Sequence, residues 1–150
     1  MAGGSETVLD LLRARGRPVV TAGPGDTVKA AIQKLVENRI GALPVCDTSG
    51  AVVGIVSERD FLHECLQQPE RIGRTKVSDI MTTEVLIGVP GDTLEYVMDI
   101  MTQRSIRHLP IMDGPELYGM VSMRDVVDAL LDQSKAQVRF LSDYISGGFR

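Results

Sequence analysis

The chain has 150 residues, 43% hydrophobic and 24% charged, a composition that excludes disordered, collagen-like and disulfide-scaffold proteins. Its 16 basic against 20 acidic residues leave a formal charge of −4, so no global positive field draws it to nucleic acid or to an anionic membrane. With 4% aromatic residues and no Trp, it also lacks the stacking platforms on which single-strand and RNA binders rely.

In chain order, residues 1–17 read as an N-terminal segment. Val8, Leu11 and Leu12 share one face of a helix that Ser5 or Thr7 caps and that runs to Arg15. A short first strand around Val19 and Val20 leads to the turn Pro24-Gly25-Asp26-Thr27. Beyond it Val28, Ala31, Ile32 and Leu35 recur at i, i+3, i+4 and i+7, which predicts an amphipathic helix with Asp26 or Thr27 as N-cap. The Val-rich segments Ala42 to Cys46 and Val52 to Val56, joined by Asp47-Thr48-Ser49-Gly50, predict a hairpin. Ser57 then stands where a strand gives way to the apolar positions Phe61, Leu62 and Cys65, a natural N-cap. The polar stretch 67–76 reads as a linker. Cys46 and Cys65 both sit in apolar segments and act as small hydrophobes, consistent with a reducing compartment.

After the linker the chain repeats itself. Pro24-Gly25-Asp26-Thr27 returns 66 residues later as Pro90-Gly91-Asp92-Thr93. At the same offset, Ile40-Gly41-Ala42-Leu43-Pro44-Val45 returns as Ile106-Arg107-His108-Leu109-Pro110-Ile111, and Leu94, Val97, Met98 and Met101 repeat the helical period. The hairpin turn tightens to Asp113-Gly114-Pro115-Glu116, and Gly54-Ile55-Val56-Ser57-Glu58-Arg59-Asp60 then faces Gly119-Met120-Val121-Ser122-Met123-Arg124-Asp125. The organisation is thus an α+β pair of β-α-β-β-α repeats, 18–66 and 77–132, followed by a tail over 133–150. In that tail Val127, Leu131, Ser134, Val138, Leu141 and Ile145 alternate steps of four and three. Such a stripe either folds back on its own domain or meets a second subunit.

The Ser-x-x-Asp turns suit a ribonucleotide on chemical grounds. Asp60 and Asp125 fall in a first helical turn, where the helix dipole favours a carboxylate and where it can accept both ribose hydroxyl protons. Ser57 and Ser122 can bond phosphate or ribose oxygens, and free N–H groups at the helix start attract an anion. The plain alternative is a capping box, a serine with an acid at N3. Arg59 and Arg124, one residue before each Asp, either add phosphate contacts or stay solvated.

The P-x-D-T helix starts, the Leu-Pro strands and the Gly-h-h-Ser-x-x-Asp turns, each present twice and in order, resemble the tandem cystathionine-β-synthase (CBS) domain pair called a Bateman module, over roughly residues 13–131. The segments Ile80-Met81-Thr82 and Tyr144-Ile145-Ser146-Gly147-Gly148 are similar to stand-alone single-pair members. The resemblance implies two repeats about a pseudo-twofold axis, sheets packed together with helices outside, and two clefts that take AMP, ADP, ATP or NAD(H) without a metal. It groups Ser57 and Asp60 with Thr82, Val85, Leu86, Ile106 and Arg107. It groups Ser122 and Asp125 with Gly16, Val19, Val20, Ile40, Gly41 and His108. Arg107 and His108 stand where the first repeat has Gly41 and Ala42, so the added cationic capacity comes from the second repeat.

The function this implies is an adenine-nucleotide sensor in energy sensing or signal transduction, a homodimer regulating a protein such as a thioredoxin-like partner or a metabolic enzyme. A ligand-free structural module is the alternative. Catalysis is not expected: His63 and His108 have no ligand-spaced neighbours, and neither a P-loop nor a nucleophile elbow occurs. Nucleic-acid binding through Arg13, Arg15, Arg17 and the 71–76 stretch ranks third, against the acidic charge. No apolar run approaches the ~18 residues of a membrane span, and no signal h-region is seen, so the expected setting is cytoplasmic, or organellar after removal of a transit peptide.

Overall fold

The computed structural model describes residues 6–16 and 18–147. Ser5 as a cap, Arg17, and the outer ends of the segments 1–17 and 133–150 lie outside the described residues. The elements are α1 (Val8–Arg15), α2 (Val28–Asn38), β1 (Ala42–Cys46), β2 (Val52–Ser57), α3 (Glu58–Gln67), a 3-10 turn at Pro69–Arg71, α4 (Val77–Ile80), α5 (Leu94–Arg104), β3 (His108–Asp113), β4 (Glu116–Ser122) and α6 (Met123–Gly147). Each repeat has one two-stranded sheet, β1 with β2 and β3 with β4. The described residues form two compact units, one from 18–89 and 110–120, the other from 6–16, 90–109 and 121–147.

In the unit holding 17–89, α2 begins at Thr27, whose hydroxyl oxygen accepts the Ala30 N–H at 3.1 Å. Asp26, the other expected cap, instead accepts the Gly23 N–H at 2.9 Å and tightens the turn itself. The apolar face of α2 (Val28, Ala31, Leu35) packs into one core with Leu43, Val45 and Val56 of the hairpin, Phe61 of α3 and Val77 of α4. The hairpin turn follows the sequence expectation. Asp47 Oδ1 accepts the Ser49 hydroxyl at 2.6 Å, the Ser49 N–H at 2.9 Å and the Ala51 N–H at 3.1 Å, while Gly50 takes φ +89°. The Ser49 hydroxyl foremost, with the backbone donors, holds the Asp47 carboxyl below the usual carboxylate range. Cys46 and Cys65 are free thiols, and burial together with Asp47 pushes the Cys46 thiol up.

The first strand of each repeat is a correction to the sequence reading. Around Val19 and Val20 there is no strand, only a single parallel bridge between Ala22 and Val45. The Ala22 N–H donates to Pro44 O at 3.0 Å and the Cys46 N–H donates to Ala22 O at 2.8 Å. Extending this parallel ladder by one rung needs an N–H from residue 44 in one direction and from residue 24 in the other, and both are prolines. The second repeat copies the device: Gly88 bridges Ile111, with 2.9 Å bonds to Pro110 O and from Met112 N–H, between Pro110 and Pro90. Val85 and Leu86 therefore lie outside any strand as well.

The N-terminal helix, which the sequence reading sets apart from the repeat, has contacts that mirror those of α4. In one unit the Val28 N–H donates to Thr75 O (2.8 Å), Val77 N–H to Asp26 O (2.8 Å) and Ser78 N–H to Pro24 O (3.0 Å). In the other the Leu94 N–H donates to Glu6 O (3.1 Å), Val8 N–H to Asp92 O (2.9 Å) and Leu9 N–H to Pro90 O (3.0 Å). Asp10 caps the Thr7 N–H at 3.0 Å as Asp79 caps the Lys76 N–H at 3.1 Å. Each PGDT turn is thus clamped by a helix that follows an extended residue, and Val8 and Val77 are both fully buried. In the other unit Leu94, Val97, Met101, Leu109, Val121 and Val126 are buried.

α6 runs unbroken along the expected stripe. Leu131, Val138, Leu141 and Ile145 are each more than half exposed, so the stripe does not fold back on the described residues of its own chain.

Two outcomes follow from this packing. A Cβ at Gly54 would stand 2.6 Å from Met81 Sδ and 3.0 Å from Thr82 O, because Thr82 pairs with Ile55 on the open edge of β2. Gly54→Ala is expected to destabilise the fold by ~1–3 kcal/mol in urea unfolding, whereas Gly25→Ala, whose Cβ meets nothing within 4 Å, leaves it unchanged. The second concerns acid. Since the folded Asp47 carboxyl titrates below its unfolded value, its contribution is full above the unfolded pKa and disappears as pH falls through the folded one. Asp47→Asn is expected to flatten that part of the stability profile below about pH 4, read by thermal unfolding as pH is lowered.

Candidate functional site

Both Ser-x-x-Asp turns fold as the capping boxes their spacing permits. Asp60 Oδ2 accepts the Ser57 N–H at 2.9 Å and the Ser57 hydroxyl at 3.2 Å. Asp125 Oδ2 accepts the Ser122 N–H at 3.0 Å, and the Asp125 N–H donates back to Ser122 Oγ at 3.1 Å. Each carboxylate therefore has a structural task, turning a strand into a helix, and is held through Oδ2. Among the described residues neither Oδ1 has a hydrogen-bond partner, and all four side chains stay partly accessible. The capping and ligand readings are compatible, since a carboxylate has lone pairs beyond those the cap uses.

In the unit with 17–89, backbone bonds place two of the candidate residues near the Asp60 turn. The Glu58 N–H at the start of α3 donates to Gly41 O at 3.0 Å, which sets Gly41 beside Ser57 and Asp60. Thr82, exposed, exchanges two 2.9 Å backbone bonds with Ile55, two residues before Ser57 on β2. Val20 and Ile40 pack against the core, as their apolar character alone would have them do. Val19 and Val85 are half-buried, whereas Leu86 and Arg59 are exposed.

In the unit with 121–150, the Met123 N–H donates to Arg107 O at 2.7 Å, so the Arg107 backbone stands against the start of α6, beside Ser122 and Asp125. Its side chain and that of Arg124 are exposed, and Ile106 and His108 are half-buried. Gly16 caps α1 in the left-handed region at φ +66°. Within this unit the described contacts thus join Arg107 to the Asp125 turn, and within the other they join Gly41 to the Asp60 turn.

Sequence reasoning gave Arg15 no part in the site. It ends α1 and forms an ion pair with Asp125, its Nη2 on Oδ2. The two side chains are 21% and 29% exposed, less than the Lys34–Asp26 pair at 39% and 37%. The partners are 110 residues apart, and no local pattern announces them. Asp60 has no ion pair among the described residues.

With two such turns on two hairpins of one design, the class of protein is defined. The family model of the CBS domain matches residues 7–67 and again 77–132, and the chain belongs to that family as a tandem pair. Its lower bounds fall at the two helices with mirrored contacts, α1 and α4. The chain is 32% identical over 153 aligned residues to the mitochondrial CBS domain-containing protein CBSX3 of Arabidopsis thaliana, covering 97% of this chain and 74% of that protein. It is 36% identical to the crystal structure of the CBS-domain containing protein ATU1752 from Agrobacterium tumefaciens, with a TM-score of 0.79 over 86% of this chain and 96% of that one. CBSX2, solved in complex with AMP, is 28% identical with a TM-score of 0.70, over 85% of this chain and 98% of that one. Among the described residues no helix is long and apolar enough to cross a membrane, and no group of three His, Cys, Asp or Glu residues is arranged to hold a metal ion.

Proposed function

We propose that the protein is a regulatory module that binds an adenine nucleotide, AMP, ADP, ATP or NAD(H), at its Asp60 and Asp125 half-sites and conveys occupancy to a partner protein. One observation carries this reading: in both repeats a carboxylate is pinned at a helix start through one oxygen, with the other left for a ligand. Such an acceptor suits a vicinal diol, and the N-terminal end of the helix beside it suits an anion. The AMP complex of the related CBSX2 supports the choice of ligand class. The relatives are described as CBS domain-containing proteins, which supports a regulatory rather than a catalytic role. CBSX3 is mitochondrial, and an organellar or cytoplasmic setting fits this reading.

The partner belongs to the same proposal. The exposed apolar stripe of α6 is the natural surface for a second copy of the chain, giving a homodimer. A regulated protein, thioredoxin-like or a metabolic enzyme, is the further partner that the family resemblance suggests.

Asp60→Ala is expected to weaken nucleotide binding at its half-site about ten- to hundredfold by calorimetry, from the loss of charge-assisted hydrogen bonds worth ~1.5–3 kcal/mol. Asp60→Asn keeps an acceptor for the Ser57 N–H and serves as the folding control. A wild-type protein whose melting temperature no adenine nucleotide moves would instead be a structural pair. Light scattering at micromolar concentration is expected to give twice the mass of one chain, and a single-chain mass would remove the dimer from the proposal.

A further inference from the structure

The outer turns of α6 have no cover among the described residues of their own chain. From Ser134 to Ile145 every side chain is exposed, Val138, Leu141 and Ile145 among them. A helical stretch this short is marginal in water unless an apolar face is packed. The seam formed by Val127, Leu131, Ser134, Val138, Leu141 and Ile145 advances in steps of four and three, the rhythm of a two-stranded coiled coil. Its outer half sets Leu141 between the β-branched Val138 and Ile145, the order that favours two parallel strands.

Ser134 is the polar member of that seam, and it separates the possible pairings. In a parallel, in-register pair it meets the partner's Ser134, and each hydroxyl can serve the other as donor or acceptor. In an antiparallel pair that overlaps the whole stripe it faces the partner's Val138, and Lys135 faces the partner's Lys135. Sliding the antiparallel pair by one heptad brings Asp128 to the partner's Lys135 but carries Leu141 and Ile145 of both copies past the stripe. An exposed ion pair offsets less than the burial of either side chain. The parallel pair has compatible flanks, with Lys135 beside the partner's Leu130 and Ser142 beside the partner's Gln137. Arg124, the next position of the rhythm, bounds the seam, since two guanidinium groups there repel. We propose, resting on the homodimer read from the same stripe, that two copies join through α6 as a parallel, in-register, two-stranded coiled coil. The two Asp125 turns, each two residues before Val127, then stand at the same end of the seam, one on either side of the twofold axis.

The test uses the full chain. Val138→Asp is expected to move the light-scattering mass at micromolar concentration from that of two chains to that of one. Phe140→Asp, comparably exposed but off the seam, is expected to leave it at two. Leu141→Cys is expected to give a disulfide between copies in oxidised glutathione, whereas Phe140→Cys is not, nor is wild type with its half-buried thiols Cys46 and Cys65. In the antiparallel pair of full overlap Leu141 lies beside the partner's Leu131, about 15 Å along the axis from the partner's Leu141. A disulfide that forms when Leu131→Cys and Leu141→Cys chains are mixed, and with neither alone, would therefore overturn the parallel arrangement and leave the homodimer standing. A dimer that Val138→Asp leaves intact would put the interface on another surface and overturn the proposal as well. A single-chain mass for wild type would bring down the homodimer, and the proposal with it.

Discussion

A carboxylate three residues after a serine holds the passage from hairpin to helix in both repeats, and most of what surrounds it follows from that constraint. Because Asp60 and Asp125 accept the N–H groups of Ser57 and Ser122, the strand must end there and α3 and α6 must start there. The first free N–H of each helix then meets a backbone carbonyl of the residue before the Leu-Pro strand, Gly41 in one repeat and Arg107 in the other. A local cap thereby draws three chain segments to one point and leaves a negatively charged group at a partly accessible position. In the proposed function, stability and ligand chemistry draw on one carboxylate, divided between its two oxygens.

Duplication has not made the copies equal. The first repeat is clamped by α4, a helix of a single turn, and the second by α1, which is twice as long. That extra turn carries Arg15 to Asp125. The length of α1 thus sets the charge environment of the Asp125 carboxylate in its unit.

Much of this was legible in the sequence because the signals were local. The i, i+3, i+4, i+7 spacing located α2 and α5, the Asp47-Thr48-Ser49-Gly50 turn located the first hairpin, and Ser-x-x-Asp announced both caps. The first strands failed for a reason also written in the sequence but not weighed there: Val19, Val20, Val85 and Leu86 look like strand residues, yet the donors a parallel ladder needs fall on Pro24, Pro44, Pro90 and Pro110. The likeness of α1 to α4 was hidden because their residues share little beyond Val8 with Val77 and Asp10 with Asp79, and it emerged from backbone hydrogen bonds. Arg15 with Asp125 was beyond reach of any pattern, since their meeting depends on how α1 docks. Residue-level carry-over from the family singled out Gly41 and Arg107, but that their carbonyls meet the starts of α3 and α6 needed coordinates.

The prolines of the Leu-Pro strands have a consequence for how the molecule behaves in a crowd. A two-stranded sheet is almost all edge, and an edge with a free row of donors and acceptors is a template on which other chains assemble. Here the Leu-Pro edge of each hairpin offers a proline where an incoming strand seeks an N–H, and the neighbouring rung is already occupied by Ala22 or Gly88. A strand arriving from another molecule finds the same gaps that stopped the protein's own first strand from growing. The residues that shorten the sheet also guard a small, strand-poor fold against polymerisation through that edge.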